Sequence, residues 1–461
     1  MNTREKSSKR FRALLRRGLG EAILVLQAAE DRERYKEIVL WACLNLTIYD
    51  PQSEGSRGVY LMDAIRLFED DDYFAAAMIR RFEQRYLDDW TFDQLCELLC
   101  LMAGEGSKRA AAALEGRYSD LLHQLRRRFS DTASTRLLWL SSWLTGFGDF
   151  RRFRRIVEDL GAYEHKYEGR LFLDSIYSAA QRRFGPKRVE TYLARVAAQS
   201  AGAAAFLASI QAFRSEDSRS MEQDTPTLSA LIASARAGKR EPGLALRLAR
   251  IATPDELRHL AQLAMEVTDP DVRLAMLWVF RKAPFPLGEE LLIELAEHED
   301  GRLSELAFEA MRLVPSDRIH AYAAELVRER RHLSAAIGLL SCCLRAGDEG
   351  LLEAGVRALS VTQRDNGWHS SFMRVEELLN SRKMRLDPSI YIHMYRQTLC
   401  SYCRHWLIKR MVRRRIIPHA MLEACLHDSY EDTRKLARRV LVRNQDHSPM
   451  HNAQQSVKIQ K

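Results

Sequence analysis

A short segment with a capped start and an apolar stripe of helical spacing recurs along this chain. In its clearest copy, residues 269–281, Asp269 and Pro270 stand where a helix would begin. Aspartate accepts hydrogen bonds from the unpaired N–H groups of a first turn, and proline fits that turn. The apolar positions behind them, at i, i+3, i+4, i+7 and i+8, are Val272, Ala275, Met276, Val279 and Phe280. A stripe of this width predicts a helix that packs against neighbouring helices.

The same phasing returns at regular intervals. It begins again at Leu303, at Leu333 and, near the C-terminus, at Thr433. From Val272 to Leu303 is 31 residues and from Leu303 to Leu333 is 30, and each interval holds the pattern of two helices. A fixed period with two helices per repeat is typical of an α-solenoid, in which no pair buries its stripe alone and neighbours must stack.

A family resemblance follows from the same residues. Asp-Pro-Asp-Val-Arg-Leu-Ala, at 269–275, resembles the second helix of a HEAT repeat, whose pattern is an aspartate, then Val-Arg, then small and apolar core residues. Residues 300–311 and 428–441 resemble it in part, so the likeness covers the C-terminal half. It implies an armadillo-like superhelix and a binding role, without a particular ligand. We therefore expect an all-α fold, an α-α superhelix (HEAT-like solenoid) of stacked antiparallel helix pairs.

The clearest change of composition separates two helical regions. Residues 215–229 are polar and aperiodic and contain a proline. Such a segment cannot bury an apolar face and is typical of a domain boundary. We predict an N-terminal helical-repeat region at 1–214, a linker or long loop at 215–229, a C-terminal HEAT-like repeat region at 230–445 and a disordered tail at 446–461.

Composition limits the class of protein. The 461 residues are 46% hydrophobic but include only 22 Gly and 12 Pro, which favours helices over turn-rich sheets. No apolar run approaches the ~18 residues of a spanning helix, and the basic N-terminus lacks the apolar segment of a signal peptide. The eight cysteines are expected to be reduced thiols in a cytoplasmic protein. The net charge of +9 suits an acidic partner, nucleic acid or an anionic membrane surface.

The first candidate site is a polar loop between two predicted helices. Its residues are Tyr49, Asp50, Gln52, Glu54 and Arg57. Packed together, these side chains could bind a polar ligand or carry acid–base chemistry. The alternative, which we favour, is a helix–helix turn with local aspartate hydrogen bonds and an arginine–carboxylate pair.

The second candidate site is a basic amphipathic segment. Asp387-Pro388 is predicted to open one helical stretch that continues to Ile417. Its cations, with no acid between them, are Arg404, Lys409, Arg410, Arg413, Arg414 and Arg415. Such a helix can bind phosphates, a membrane surface or an acidic partner, or it can be the solvated edge of a solenoid.

A cysteine motif offers a further possibility. The four potential zinc ligands are Cys400, Cys403, Cys425 and His427. These residues lie in helical patterning rather than in a tight knuckle, and cysteine is also a small buried hydrophobe. We therefore expect no metal and no cofactor.

Motifs of known chemistry do not appear. The sequence has no P-loop, G-x-G-x-x-G, G-x-S-x-G or H-E-x-x-H motif. We expect a non-enzymatic scaffold that mediates protein–protein interaction. The alternative is a nucleic-acid-binding α-solenoid, including a HEAT-like DNA glycosylase type, that uses a basic surface.

Overall fold

The computed structural model describes residues 3–84, 86–167, 171–219, 226–359, 367–380 and 386–446. These ranges contain α-helices, two short 3-10 helices (Glu33–Tyr35 and Trp278–Arg281) and no strand, which confirms the prediction of an all-α fold. Apart from its first residue, the predicted tail at 446–461 lies outside the described residues. The chain forms two compact units: unit 1 comprises Met1–Glu222 and Leu399–Lys461, and unit 2 comprises Gln223–Thr398.

The described residues in the N-terminal segment of unit 1 form thirteen α-helices. They are α1 (Thr3–Arg17), α2 (Glu21–Ala28), α3 (Lys36–Leu44), α4 (Pro51–Glu54), α5 (Gly58–Arg66), α6 (Asp71–Phe82), α7 (Asp89–Gly104), α8 (Lys108–Arg127), α9 (Asp131–Phe147), α10 (Phe150–Tyr167), α11 (Asp174–Phe184), α12 (Pro186–Ala197) and α13 (Ala201–Arg219).

The next eleven α-helices lie in the part of unit 2 that the structure describes. They are α14 (Leu228–Arg236), α15 (Pro242–Leu248), α16 (Pro254–Glu266), α17 (Pro270–Leu277), α18 (Glu289–Ala296), α19 (Gly301–Met311), α20 (Asp317–Glu329), α21 (Leu333–Cys342), α22 (Glu349–Ala358), α23 (Gly367–Asn380) and α24 (Pro388–Gln397). The chain then returns to unit 1 with α25 (Ser401–Arg414), α26 (His419–Cys425) and α27 (Glu431–Asp446).

Side-chain caps determine where many of these helices begin. Asp88, Asp269 and Ser316 each accept a hydrogen bond from a backbone N–H in the first turn of the helix that follows. Thr253 and Glu256 form a reciprocal capping box at the start of α16. Because the unpaired N–H groups of a first turn need acceptors, these residues fix the helix starts locally.

The helices of unit 2 stack in two layers. One layer follows α17, α19, α21 and α23, and the other follows α18, α20, α22 and α24. The stripe positions Met276, Val279 and Phe280 are buried, whereas Val272 and the neighbouring Trp278 are half-buried. The phasing that recurs in the sequence therefore marks the helices of one layer.

Polar contacts link neighbouring repeats of unit 2 at nearly the same spacing. Arg302 pairs with Asp271, 31 residues earlier, with its Nη1 2.8 Å from Oδ1. His320 and Asp348 lie 28 residues apart, with 3.0 Å between Nε2 and Oδ2. The Arg302–Asp271 pair is exposed, and an exposed ion pair contributes about 0–1 kcal/mol, so this contact aligns the repeats more than it stabilises them.

Unit 1 also contains a layer of successive helices. α3, α5, α7, α9 and α11 each pack against the next in this order. At the other end of the chain, α26 packs against α2, and α25 packs against α4 and α27. The C-terminal helices of unit 1 therefore contact its first helices.

This arrangement differs from the sequence-based division in three places. The predicted linker at 215–229 overlaps two helices, since α13 extends to Arg219 and α14 begins at Leu228, and its residues 220–225 lie outside the described ones. The predicted region at 230–445 is divided between the units, because residues from Leu399 onward belong to unit 1. The helical stretch predicted from Pro388 to Ile417 is interrupted between α24 and α25. The reason is a tertiary contact: Glu54 accepts a hydrogen bond from the N–H of Ser401, so a first-turn donor of α25 is satisfied from outside the helix.

The described residues include no helix that is both long and apolar enough to cross a membrane.

Met276 tests the assignment of the stripe. Met276→Asp would place an unpaired charge in a fully buried position and should lower the free energy of unfolding by about 3–5 kcal/mol. Ile251→Asp, at a position that is 54% exposed in the same unit, should change it by less than about 0.5 kcal/mol. Chemical denaturation followed by circular dichroism would measure both variants. Equal midpoints for Met276→Asp and the wild type would remove Met276 from the core.

Candidate functional site

The polar loop of unit 1 folds as a one-turn helix followed by a tight turn. Asp50 caps α4, since its Oδ1 accepts a hydrogen bond from the N–H of Gln52 at 3.1 Å and its Oδ2 accepts one from Ser53 Oγ at 2.6 Å. Pro51 occupies the first position of the helix, where its missing N–H costs nothing. Gln52 is exposed, whereas Glu54 and Arg57 point inward and are buried.

Glu54 joins both ends of its loop to the C-terminal segment. Its Oε1 accepts hydrogen bonds from the N–H groups of Tyr49 and Asp50, at 2.9 and 2.8 Å. Its Oε2 accepts one from Arg57 Nη2 at 3.1 Å and one from the N–H of Ser401 at 2.8 Å. Burial alone raises the pKa of Glu54, but the Arg57 charge and the N–H donors outweigh it, so the pKa is lowered overall. Glu54 is therefore an ionised carboxylate whose two oxygens are both engaged.

Arg57 is buried beside Glu54 and holds two further segments. Its Nη1 donates hydrogen bonds to the carbonyl oxygen of Arg16 and, at 2.9 Å, to that of Thr47. A guanidinium offers five N–H donors in a planar fork, so one side chain can bind several acceptors at once. Arg57 thereby fixes the end of α1 and the start of the polar loop in relation to each other.

Arg404, from the second candidate site, belongs to the same buried cluster. It is fully buried, and its Nη2 lies 3.6 Å from Oδ1 of Asp428, which is also fully buried. It also donates to the carbonyl oxygens of Leu399 at 3.1 Å and Gly18 at 3.3 Å. Arg404 is therefore not part of an exposed basic surface, contrary to the sequence-based expectation. The structure instead brings it into one polar cluster, which we define as Glu54, Arg57, Arg404 and Asp428.

Two glycines in the turn between α1 and α2 allow that turn to approach this cluster. Gly18 has a φ of +71°, and a Cβ built there would lie 2.2 Å from Ser429 Oγ. A Cβ on Gly20 would lie 1.8 Å from the carbonyl oxygen of Ala424. The carbonyl of Gly18 also accepts a hydrogen bond from the N–H of Ser429 at 2.9 Å. Side chains at either position would separate α2 from α26.

The remaining cations of the second candidate site lie along the C-terminal half of α25 and just after it. Lys409, Arg413, Arg414 and Arg415 are exposed, and Arg410 is half-buried. The guanidinium carbon of Arg410 lies 5.3 Å from the ring centroid of Trp406, within the range of a cation–π contact. Five of the six predicted binding residues therefore remain at or near the surface, apart from Arg404.

Glu97 on α7 holds the far side of the polar loop. It is 3% exposed, and its Oε1 and Oε2 accept hydrogen bonds from Ser56 Oγ at 2.5 Å and from the N–H of Gly58 at 2.9 Å. Burial raises the pKa of Glu97 to about 7, although these two donors partly oppose the shift. Glu97 therefore changes charge near neutral pH while it binds the loop.

A small cleft opens beside the polar cluster. Its volume is about 240 Å³, and it lies between the polar loop and the start of α27. Its lining residues are Glu54, Gly55, Ser56, Val59, Ser429, Tyr430, Glu431, Asp432 and Arg434. Because the oxygens of Glu54 already bind donors of the protein, this carboxylate holds the loop rather than facing a ligand.

The four cysteine and histidine residues weighed as zinc ligands lie in unit 1. Cys400, Cys403 and Cys425 are buried, and His427 is half-buried. Among the described side chains, Cys425 and His427 do not share with Cys400 and Cys403 a group of ligand atoms within 4.8 Å.

The sequence analysis did not identify an exposed group of aromatic residues on α7 and α9. We define the aromatic strip as Trp90, Trp139, Trp143 and Phe147. The last three follow one face of α9 at i, i+4 and i+8. Trp90 and Phe147 are 38% and 39% exposed, and Trp139 and Trp143 are half-buried. An aromatic ladder of this spacing is a sequence signal, but it is also the pattern of a core stripe.

Contacts within the aromatic strip orient its rings. The centroids of Trp90 and Trp139 lie 5.3 Å apart, and those of Trp143 and Phe147 lie 5.8 Å apart. Trp143 Nε1 donates a hydrogen bond to Oδ1 of Asp93 at 2.6 Å. Burial raises the pKa of Asp93, although the Trp143 bond partly opposes this. The strip is therefore a partly exposed aromatic surface fixed by its own packing.

Comparison with known proteins leaves the family open. No protein-family model matches the sequence, and no curated protein matches it significantly. Among solved structures, an engineered protein determined as a structural-genomics target aligns with 92% of this chain and 98% of its own, at 15% identity and a TM-score of 0.20. A TM-score this low carries no argument about fold or function.

Arg404 tests the structural role of the polar cluster. Arg404→Met would leave Asp428 buried without its cation and should lower the free energy of unfolding by about 3–5 kcal/mol. The double variant Arg404→Met, Asp428→Asn removes both charges and should recover part of that loss. Arg413→Ala, on the exposed end of α25, should change stability by less than about 0.5 kcal/mol. Denaturation midpoints measure all three, and equal midpoints for Arg404→Met and Arg413→Ala would contradict this role.

Glu97 gives a prediction about pH. An unfolded glutamate titrates near pH ~4.3, so between this value and about 7 the unfolded state loses its proton while the folded state keeps it. Wild-type stability should therefore fall as pH rises through this window and level off above it. Glu97→Gln cannot titrate and should become more stable relative to the wild type by about 1–3 kcal/mol from pH 4.5 to 7.

Melting curves across this pH range measure the effect. Glu83→Gln, at an exposed position in the same unit, serves as the control and should keep the wild-type pH profile. If the stability of Glu97→Gln and of the wild type changed with pH in parallel, the pKa of Glu97 would be the same in the folded and unfolded states, contrary to this prediction.

Proposed function

We propose that this protein is a non-enzymatic HEAT-like scaffold that binds another protein, and that the aromatic strip is its contact surface. The observation that carries the proposal is the exposure of Trp90 and Phe147 beside two further tryptophans on successive helices of one layer. Tryptophan is among the residues that dominate the binding energy of protein interfaces. Its large ring buries much apolar area, while its N–H can keep a polar partner.

The surroundings of the strip also favour binding. Trp143 is oriented by Asp93, and α7 and α9 pack directly on each other, so little side-chain freedom would be lost on association. The same helix α7 carries Glu97, which binds the polar loop. One of the two helices that carry the strip is therefore also attached to the polar loop.

The second candidate function is a nucleic-acid-binding solenoid of the DNA glycosylase type. One contact favours it: Asp93 is a carboxylate with a raised pKa that lies against Trp143 within the strip. A glycosylase needs an acid in an aromatic pocket that accepts an extruded base. Release of free base from alkylated DNA by the wild type, lost in Asp93→Asn, would favour this alternative over the scaffold.

The scaffold proposal predicts the effect of removing the exposed rings. Trp90→Ala combined with Phe147→Ala should reduce the recovery of a bound protein about tenfold or more, since central aromatic residues contribute about 2 kcal/mol or more each. The measurement is crosslinked affinity capture from the native source, with quantitative mass spectrometry and an absorbance ratio for nucleic acid.

The matched control is Phe172→Ala, which removes a 70% exposed aromatic residue outside the strip. This variant should recover the partner as the wild type does. The same protein recovered equally with the strip variant, or material rich in nucleic acid and poor in protein, would contradict the proposal.

A further inference from the structure

Two copies of the tripeptide Arg-Arg-Phe, at 151–153 and 182–184, meet in unit 1. Phe153 lies on α10 and Phe184 at the end of α11, and their ring centroids are 6.2 Å apart. After Phe184, Gly185 and Pro186 turn the chain into α12. The two motifs therefore bring their phenylalanines into one aromatic cluster.

The rings of Phe150, Phe184 and Tyr192 form the floor of a groove of about 720 Å³. The ring centroid of Phe150 lies 5.1 Å from that of Phe184 and 5.3 Å from that of Tyr192, both in edge-to-face geometry. Phe150 and Phe184 are half-buried, so part of each ring is accessible. We define the basic groove as this floor together with the cations of its rim, Lys187, Arg188 and Arg195, which also line it.

The rim cations are available to a ligand. All three are exposed, and none forms an ion pair with a described residue, whereas the arginines at 152 and 155 on α10 pair with Glu115. The guanidinium carbon of Arg188 lies 4.3 Å from the ring centroid of Phe150. Arginine against an aromatic ring is a common arrangement for holding phosphates near stacked bases.

We propose that the basic groove binds single-stranded nucleic acid. Bases would pack on the accessible parts of Phe150 and Phe184, beside the Arg188 guanidinium that lies against Phe150, and backbone phosphates would contact Lys187, Arg188 and Arg195. Every base has a π face, so such a floor tolerates any sequence, and the unpaired rim cations complement a chain of phosphates.

The spacing of the cations favours a polymer over a mononucleotide. Arg188 and Arg195 are seven residues apart on α12, about 10 Å along the helix axis. A single phosphate can contact one of them, while a strand with a charge on every nucleotide can contact both. An acidic peptide could pair with the cations, but its carboxylates do not stack on rings. The groove lies on other helices than the aromatic strip, so this inference goes beyond the proposed scaffold function.

Fluorescence anisotropy with the full chain tests the proposal. The probes are labelled oligouridylate RNA and oligothymidylate DNA of about twelve nucleotides. Wild type should bind at least one of them at about 50 mM salt, with a log–log salt slope near −0.7 per phosphate contacted. Arg188→Ala with Arg195→Ala should weaken binding about tenfold or more and flatten the slope by about 1.4.

A stacking variant separates ring contacts from charge. Phe150→Leu keeps an apolar side chain and every cation, so it should weaken binding at least about fivefold without changing the salt slope. Helix content and melting temperature, measured for each variant, identify any loss of folding. If Phe150→Leu does not fold, Phe184→Leu serves as the second stacking variant.

Variants at other surfaces serve as matched controls. Arg410→Ala, Arg413→Ala and Arg414→Ala together remove cations from α25, and Trp90→Ala with Phe147→Ala removes the exposed rings of the strip. Both should bind the probes as the wild type does, so failure of the scaffold proposal would leave this result unchanged. The proposal is overturned if neither probe binds, if the groove variants bind normally, if the α25 variant loses binding equally, or if polyglutamate of similar charge displaces the probe with equal affinity.

Discussion

The buried pair of Arg404 and Asp428 is the interaction on which the assembly of unit 1 depends. A buried guanidinium without partners is costly, so Arg404 requires Asp428 and the carbonyl oxygens of Leu399 and Gly18. These acceptors come from segments about 380 to 410 residues apart in the sequence. If the turn at Gly18 separated from the C-terminal helices, the charge of Arg404 would lose a hydrogen-bond acceptor or become exposed to solvent. This requirement explains why the last three helices belong to the first compact unit.

A second charged pair extends the same logic to the polar loop. Glu54 and Arg57 pair with each other and use their remaining positions for backbone groups, including the N–H of Ser401. Glu97 holds the other side of the loop and adds a dependence on pH. Because α7 carries Glu97 and part of the aromatic strip, the buried charges support the surface that we propose as the contact site. The loop first considered as a ligand site thus has a structural role here.

The two proposed binding surfaces follow from one property of helix pairs. Each helix buries one stripe, and residues outside the stripe are free to serve function. On α9 the exposed side carries aromatic rings, while on α12 it carries cations above an aromatic floor. Neither surface needs a change in the packing of the repeats. A solenoid can therefore carry a protein-binding strip and a nucleic-acid-binding groove on the same unit.

The sequence by itself determined the helical class, the period near thirty residues in unit 2, and many helix starts, because caps and apolar stripes act over a few residues. It also indicated that Glu54 and Arg57 could pair. Only the tertiary structure decided that Arg404 is buried, that α24 and α25 are separate helices, and that residues after 398 join unit 1. These outcomes rest on contacts such as Glu54 with Ser401, 347 residues apart. A local sequence pattern does not identify such partners, since a basic helix has the same pattern whether its arginines contact solvent or a distant aspartate.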